Sequence, residues 1–534
     1  MENAVADPRE PAADVEDQPW IRGSVSRRGF LLGAGVVGAG AMALGTAAGR
    51  WMVPTAAAQP AASAAAPTAT PTASAAPTAT TAILDRTFIS TKLTSPHATS
   101  WTASSTAGGL LFAAPQGHGS SGLIMDNEGR PVWIEPTGVG ITDLRVQDFE
   151  GRPVLTYWQG TGTGGHGEGM GTILDTSYGT VAQVKAGNGL TADLHEFRLT
   201  DAGTALLIAY PTIRRDLSGV GGPADGYMFD CHVQEVRVRS GEVLLDWSAV
   251  GAVGLDESFL APGDTAAADG SSAEKAFDPF HVNSVDEDGG TLLVSARHTH
   301  TLYLLDRSTG ALLWRLGGKR SDFAVAANAA FAWQHDARRR SATEISLFDS
   351  HYSQGSTGTS RGLFLSIDEA ARTAGLKAEY ANAGHRGNAE GNVQLLPNGN
   401  ILVGWGADPA ATEFTPDGTA IYETVGLGNA SYRVYRFPWT ATPGTVPSVG
   451  VLPGNGSSMA VFASWNGATE VASWRILTGG GDGGSDGDGG LTAKGVVPRR
   501  GFETQFAVAN AARVAVEALA ADGTVLARSA AVAV

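Results

Sequence analysis

Three histidines occupy the same slot of a recurring unit. In FHVNSVDEDGGTLLVSARH (280–298), His281 stands eight residues before Gly289, and a strand-like run ends at Arg297. In DLHEFRLTDAGTALLIAYP (193–211), His195 stands eight residues before Gly203, and in WQHDARRRSATEISLFDSH (333–351), His335 stands eight before Thr343. The same count back from other turns of this kind reaches Asp143 and, with a register slip of one or two, Gly391. Neutral imidazole is a nucleophile, a general base or a metal ligand, and imidazolium binds anions. Asn283 lies two residues beyond His281, so strand alternation puts both on one face. Arg297 closes the following strand, and His351 holds the matching place after His335. A permanent cation, an amide and several imidazoles suit an anion with several oxygens, such as a sulfuryl or phosphoryl group. Two other readings remain open. His195, His281 and His335 could ligate a metal in a hydrolase, lyase or oxygenase, or the domain could bind a ligand without turnover.

The elements that gather such distant residues follow from the repeat. Its second half is strand, tight turn, strand: six such segments run from LIMDNEGRPVW (123–133) to EFTPDGTAIY (413–422). Its first half, again strand, turn, strand, occurs five times, from LRVQDFEGRPVLTYW (144–158) to GNVQLLPNGNILVGWG (391–406). Four strands per unit, in a unit longer than a solenoid repeat, predict propeller blades. The sixth innermost strand is expected from SYRVYRFP (431–438), completing the first blade and removing exposed edges. The fold expected is all-β: a six-bladed β-propeller over 84–443, then a small β-sandwich over 445–534, where apolar and polar residues alternate. The first strand of each blade lines the central channel, so equal slots meet near the axis.

The remaining features are less specific. The chain has 534 residues, 43% of them hydrophobic, 71 glycines and a net charge of −16. The charge argues against a nucleic-acid surface. A single cysteine, Cys231, leaves no internal disulfide and reads as a buried, inert thiol. Twin arginines in SRRGFLL (26–32), a Gly-rich apolar run and Ala56-Ala57-Ala58 predict a twin-arginine export signal over 1–58, with an uncleaved anchor as the alternative. The Ala/Pro/Thr/Ser run over 59–83 predicts an extended tether. The expected location is secreted or at the cell envelope, with the Tat machinery as partner. The Gly-rich segment TGTGGHGEGMG (161–171) reads as a mobile loop whose His166 could reach the channel mouth. Asp230-Cys231-His232 reads as structural, Arg338-Arg339-Arg340 as a solvated turn, and Asp482, Asp486 and Asp488 as a solvated loop rather than a calcium site.

With these residues in hand, the sequence resembles the arylsulfotransferase (ASST) superfamily, most closely its actinobacterial and fungal branch. The resemblance lies in DLHEF (193–197), FHVNSV (280–285), VSARH (294–298), LLDRSTGALLWRLGGKRSDF (304–323), WQHDAR (333–338), GNVQLLPNGNILVGWG (391–406) and SYRVYRFPW (431–439), and SWNGATEVASWR (464–475) resembles the C-terminal extension of that branch. It implies transfer of a sulfuryl group from an aryl sulfate to a phenol, without a nucleotide sulfate donor, cofactor or metal. It implies that His335 is the nucleophile and that His281, Asn283, Arg297 and, less directly, His195 are site groups. Charge logic then gives His195 the protonation of the leaving phenolate and adds His351 to the substrate-binding set.

Overall fold

The computed structural model describes residues 85–117, 122–265, 267–351, 358–454, 456–480 and 490–534. The twin-arginine segment, the expected cleavage site, the tether and Asp482, Asp486 and Asp488 lie outside these residues.

The chain is all-β among the described residues, with only single 3-10 turns between strands. Successive antiparallel sheets are laid down in chain order. One orders Ile141–Phe149, Arg152–Thr163, His166–Leu174 and Thr180–Val184 from inside out. The next orders Phe197–Leu199, Thr204–Ala209, His232–Arg237 and Val243–Ser248, and a third orders Val282–Asp288, Thr291–Ala296, Thr301–Asp306 and Leu312–Gly317. A fourth runs from His335–Ser341 through Glu344–Asp349 and Arg361–Asp368 to Thr373–Tyr380, with Ala324–Val325 added in parallel at its rim. A fifth runs from Asn392–Leu395 through Ile401–Gly404 and Ala410–Phe414 to Ala420–Val425, and takes Thr99–Thr102 as its outer strand. The last unites the two ends of this region: Ser431–Phe437 pairs antiparallel with Leu110–Pro115, followed by Leu123–Met125 and Pro131–Ile134. That pairing is the one expected from the incomplete first unit.

The innermost strands adjoin one another. Ser431–Phe437 lies beside Ile141–Phe149, which lies beside Phe197–Leu199; Val282–Asp288 contacts Thr204–Ala209 on one side and His335–Ser341 on the other; Asn392–Leu395 contacts both His335–Ser341 and Ser431–Phe437. Strands covered on both faces by neighbouring sheets need apolar residues on both faces, and TALLIA (204–209) is buried at every position. Cys231 is fully buried in the apolar cluster between the second and third sheets. Burial pushes its thiol well above its usual pKa, as an inert residue requires.

Beyond residue 445, a sheet of Ser448–Pro453, Ser458–Ser464 and Glu503–Ala509 shares one core with a sheet built on Ser473–Gly479 and Arg513–Leu519. Trp474, Ile476, Val514 and Val516 of the second meet Met459, Val461 and Ala463 of the first. This region grips the sheet of Pro131–Ile134. Asn466 accepts from the Ile134 N–H and donates to its carbonyl, both at 2.8 Å. The Tyr178 hydroxyl, whose ring stacks on Trp133, donates to the Gly467 carbonyl at 3.0 Å.

Two expectations are corrected here. Arg338-Arg339-Arg340 is not a solvated turn but part of the strand His335–Ser341. Arg338 faces inward to Glu196 and Asp336, Arg339 pairs with Glu369 at 2.6 Å, and Arg340 donates to Ser346 Oγ and the Val393 carbonyl. Acids near Arg338 and Arg339 and neutral acceptors at Arg340 make three adjacent cations tolerable. The Gly-rich segment 161–171 is not a loop but the end of the hairpin Arg152–Thr163/His166–Leu174. Its glycines leave room for the Trp158 ring: a Cβ at Gly167 or Gly169 would come within 2.7 or 2.6 Å of that ring.

Candidate active site

Each slot histidine sits at the start of an innermost strand, while Arg297 and His351 follow the second strands Thr291–Ala296 and Glu344–Asp349. His195 precedes Phe197–Leu199, His281 precedes Val282–Asp288, and His335 opens its own strand. All three are buried, with 3%, 4% and 1% exposure. Several positions here take the left-handed backbone region that side chains disfavour: Asp143, His281, Trp333, Asp336 and Glu390 have φ between 53° and 64°. Such strain costs on the order of 1–3 kcal/mol per residue and gathers where function over-determines the backbone.

The imidazoles converge. The ring centroids of His195 and His281 are 4.8 Å apart, those of His281 and His298 4.7 Å, and those of His166 and His281 5.3 Å. Tyr210 packs against His166, His195 and His281, and Tyr432 against His195. Carboxylates fix the ring tautomers. His195 Nδ1 donates to Asp193. Asp278 Oδ2 accepts from His281 Nδ1 at 2.5 Å and His166 Nε2 at 3.0 Å, while its backbone carbonyl accepts from His298 Nδ1 at 2.7 Å. Burial would raise the Asp278 pKa, but the surrounding histidines hold it well below the carboxylate range. Burial, helped by the Arg297 charge, pushes His281 well below its ordinary value, and burial takes His298 down to about 3.

His335 is held differently. Its Nδ1–H donates to the Trp333 carbonyl at 3.0 Å, so Nε2 carries the lone pair, and Nε2 accepts the Glu390 backbone N–H at 3.2 Å. Burial, then the charges of Arg297 and His195, pushes the pKa well below 6.5. The ring is therefore neutral at neutral pH.

Arg297 supplies the cation. Its guanidinium lies over the Trp333 ring at 4.2 Å, and Nη2 donates to His298 Nε2 at 2.9 Å. Its Nε is buried without a partner, and among the described residues no carboxylate forms an ion pair with it. Burial lowers its pKa only to about 10, so it stays charged. A guanidinium lacking a carboxylate, next to neutral imidazoles, is arranged for an anion from outside.

Beneath this pocket lies a compensated charge layer. Arg145 contacts Asp143 and Glu196 at 3.1 and 2.7 Å, Arg338 contacts Glu196 and Asp336 at 2.8 and 2.7 Å, and Arg433 contacts Asp143 and Glu196 at 2.8 and 3.2 Å. Asp143, expected at the channel mouth beside the histidines, belongs to this layer. Its slot is shared, but the nearby arginines bind its carboxylate. Burial would raise Glu196, yet Arg338, Arg433 and Arg145 hold it well below the usual carboxylate range.

Asn283 is fully buried in the expected strand; its Nδ2 donates to the Gln334 carbonyl at 2.7 Å and its Oδ1 has no partner. His351 differs from the buried imidazoles: its side chain is 44% exposed and lies 3.3 Å from Asp349. For a metal, the group among the described residues whose ligand atoms all lie within 4.8 Å of one another is His166, Asp278 and His281, not His195, His281 and His335. His166, expected as a residue that could reach the channel mouth, is brought to Asp278 by the hairpin end, whereas Asp278, His298 and Glu390 were not among the expected site residues. Glu390 adjoins the Gly391 slot, and an allowed one-residue slip reaches it. Asp278 precedes His281 by three residues, a spacing with no signal of its own.

A family model described as Arylsulfotransferase (ASST) matches residues 145–426. No curated protein matches the chain. Among solved structures, a protein of unknown function from Bacteroides caccae is 11% identical, with 61% of this chain and 98% of that one covered and a TM-score of 0.37. A protein of unknown function from Dyadobacter fermentans is 12% identical, with 70% and 95% covered and a TM-score of 0.31. The β-propeller domain of Cps50 (Swd1) from Myceliophteria thermophila is 10% identical, with 61% and 97% covered and a TM-score of 0.28.

Proposed function

The chain belongs to the arylsulfotransferase (ASST) family, and on that premise we propose that it moves a sulfuryl group from an aryl sulfate to a phenolic acceptor through a sulfohistidine on His335. The observation that carries the reading is the pairing of two features: a neutral His335 whose Nε2 holds the lone pair, and an Arg297 guanidinium without a carboxylate. An aryl sulfate carries negative oxygens that repel a nucleophile. Arg297, with the second N–H of Asn283, holds those oxygens and spreads the charge that builds in the transition state, and His281 lines the pocket beside them. His335 Nε2 attacks sulfur as the S–O bond to the phenolic oxygen breaks, and the Trp333 carbonyl steadies the Nδ1–H as the ring gains positive character. His195, with Asp193 behind its Nδ1, takes the leaving phenolic oxygen. His351 belongs to the proposed substrate-binding set on its sequence place after His335, as a contact for the aryl body of a substrate.

The finer architecture belongs to the same proposal. The sheets over 84–443 form a six-bladed propeller closed by the sheet uniting Ser431–Phe437 with Leu110–Pro115, a reading supported by the cyclic adjacency of the innermost strands. The region over 445–534 is a β-sandwich, supported by the core its two sheets share. The chain falls in the actinobacterial and fungal branch. Residues 1–58 are a twin-arginine export signal, 59–83 a tether, and the enzyme acts outside the cytoplasm. The support for export is the sequence of that segment alone.

The test is incubation of purified protein with 4-nitrophenyl sulfate and phenol. Nitrophenol release together with phenyl sulfate formation, and a sulfuryl mass increment on the peptide carrying His335, are expected. Release that persists in His335→Ala would count against the reading.

A further inference from the structure

The second half of the sulfotransfer scheme begins with a proton transfer. A phenol attacks sulfur well only as its anion, and an ordinary phenol keeps its proton until about pH 10. A base is needed beside His335 Nε2, where the sulfuryl group would wait. His195 Nδ1 is held by Asp193, His281 Nδ1 and His166 Nε2 by Asp278, and His298 by the Asp278 carbonyl and Arg297, which leaves the Nε2 lone pair of His195 as one basic site.

A carboxyl at the nucleophile itself is the second. Glu390 precedes the innermost strand Asn392–Leu395 and has φ 64°, which brings its backbone N–H to 3.2 Å from His335 Nε2. Its Oε1 accepts a long hydrogen bond of 3.4 Å from Gln116 Nε2. Its Oε2 is shut off from solvent and has no partner among the described residues. An unpartnered buried carboxyl oxygen is costly and calls for an explanation. The following N–H, of Gly391, donates to the Tyr432 carbonyl, anchoring this corner to the strand Ser431–Phe437.

We propose that Glu390 is the general base for the acceptor, its Oε2 taking the hydroxyl proton of the incoming phenol as the phenolic oxygen attacks the sulfuryl group on His335. The proposal rests on the sulfotransfer reading above. In the step, the O–H bond breaks to Glu390 and the O–S bond forms. The N–S bond breaks with its electron pair returning to His335 Nε2, and Glu390 later gives the proton to solvent. The charges around Glu390 suit the task. Burial raises its pKa to about 7, while the Gln116 hydrogen bond and the Arg297 guanidinium pull the other way; His335 and Tyr432, the other titratable groups at this corner, are neutral there. A base poised near the working pH is the efficient one.

The experiment uses the full chain, 4-nitrophenyl sulfate as donor, and acceptors of graded acidity from phenol to pentafluorophenol. Without acceptor, the nitrophenol burst reports sulfation of His335; with acceptor, steady turnover reports the second half. In Glu390→Gln the burst is expected to remain within about threefold of wild type. Turnover with phenol should fall by on the order of 10²-fold, the loss shrinking toward none for acceptors already ionised. The wild-type rise of turnover with pH near neutrality should vanish in this variant. Gln116→Leu, which removes the hydrogen bond that lowers the carboxyl pKa, should move that rise to higher pH and leave the burst intact; it also serves if Glu390→Gln does not fold. An equal loss on every acceptor, or an unmoved pH profile in either variant, overturns the role of Glu390 while the sulfohistidine stands. No burst in wild type overturns both.

Discussion

At the scale of single residues, chemistry here depends on what each side chain is kept from doing. Arg297 is denied a carboxylate, and His335 is denied a proton. Arg297→Lys keeps the charge but loses the flat guanidinium that stacks on Trp333 and the fork that grips two oxygens. Its kcat for aryl sulfate turnover should fall by about 10²-fold, measured with 4-nitrophenyl sulfate. His385 shows the opposite tuning. Burial alone would lower its pKa, but Asp408 at 3.1 Å and Glu423 at 3.3 Å raise it to about 9. A histidine bound more tightly to its proton in the folded state stabilises fully below its unfolded pKa of about 6.5. That contribution is lost as pH climbs from there through about 9. His385→Gln should therefore lower stability by about 2 kcal/mol at pH 6 and by much less at pH 10, as read from denaturant melts. The three slot histidines were legible in the sequence because repetition marks them, and Asn283 and Arg297 because strand alternation and the end of the next strand set them near His281. Asp278 and His298 were not, since a carboxylate three residues before a histidine and a histidine after a strand carry no pattern until the loop joins them.

At the scale of elements, strands and tight turns were readable from alternation and glycine spacing, and the pairing of Ser431–Phe437 with Leu110–Pro115 followed from one missing strand. What composition misreported was the hairpin tip. Glycine density there reflects the Trp158 ring laid across the backbone, with its Nε1 donating to the Ala192 carbonyl at 2.9 Å. The same tip carries His166 to Asp278. Gly167→Ala places a methyl against Trp158 and Leu194 and should cost about 1–3 kcal/mol, seen as a lowered midpoint in urea. Activity should drop with it, because the hairpin can no longer seat His166. The three arginines at 338–340 were misjudged for a related reason: charge runs look solvated until neighbouring sheets supply acids.

At the scale of the whole molecule, the buried layer of Arg145, Arg338 and Arg433 with Asp143, Glu196 and Asp336 joins strands from several sheets. Removing one cation leaves carboxylates buried and uncompensated. Arg433→Met should destabilise the protein by about 3–5 kcal/mol, measured by thermal or urea unfolding. No single stretch of sequence shows this layer, since its members are spread from Asp143 to Arg433 and meet only after the sheets assemble. The strand Ser431–Phe437 has one more effect. It delivers Tyr432 beside His195 and Arg433 to Glu196, and it receives the Gly391 N–H. A nascent polypeptide therefore emerges from the ribosome almost entirely before its reactive imidazoles have their final surroundings. Translation products that stop short of Ser431–Phe437 would be chemically silent, and reactivity toward sulfate esters would switch on in one step, at the moment that strand docks beside Leu110–Pro115.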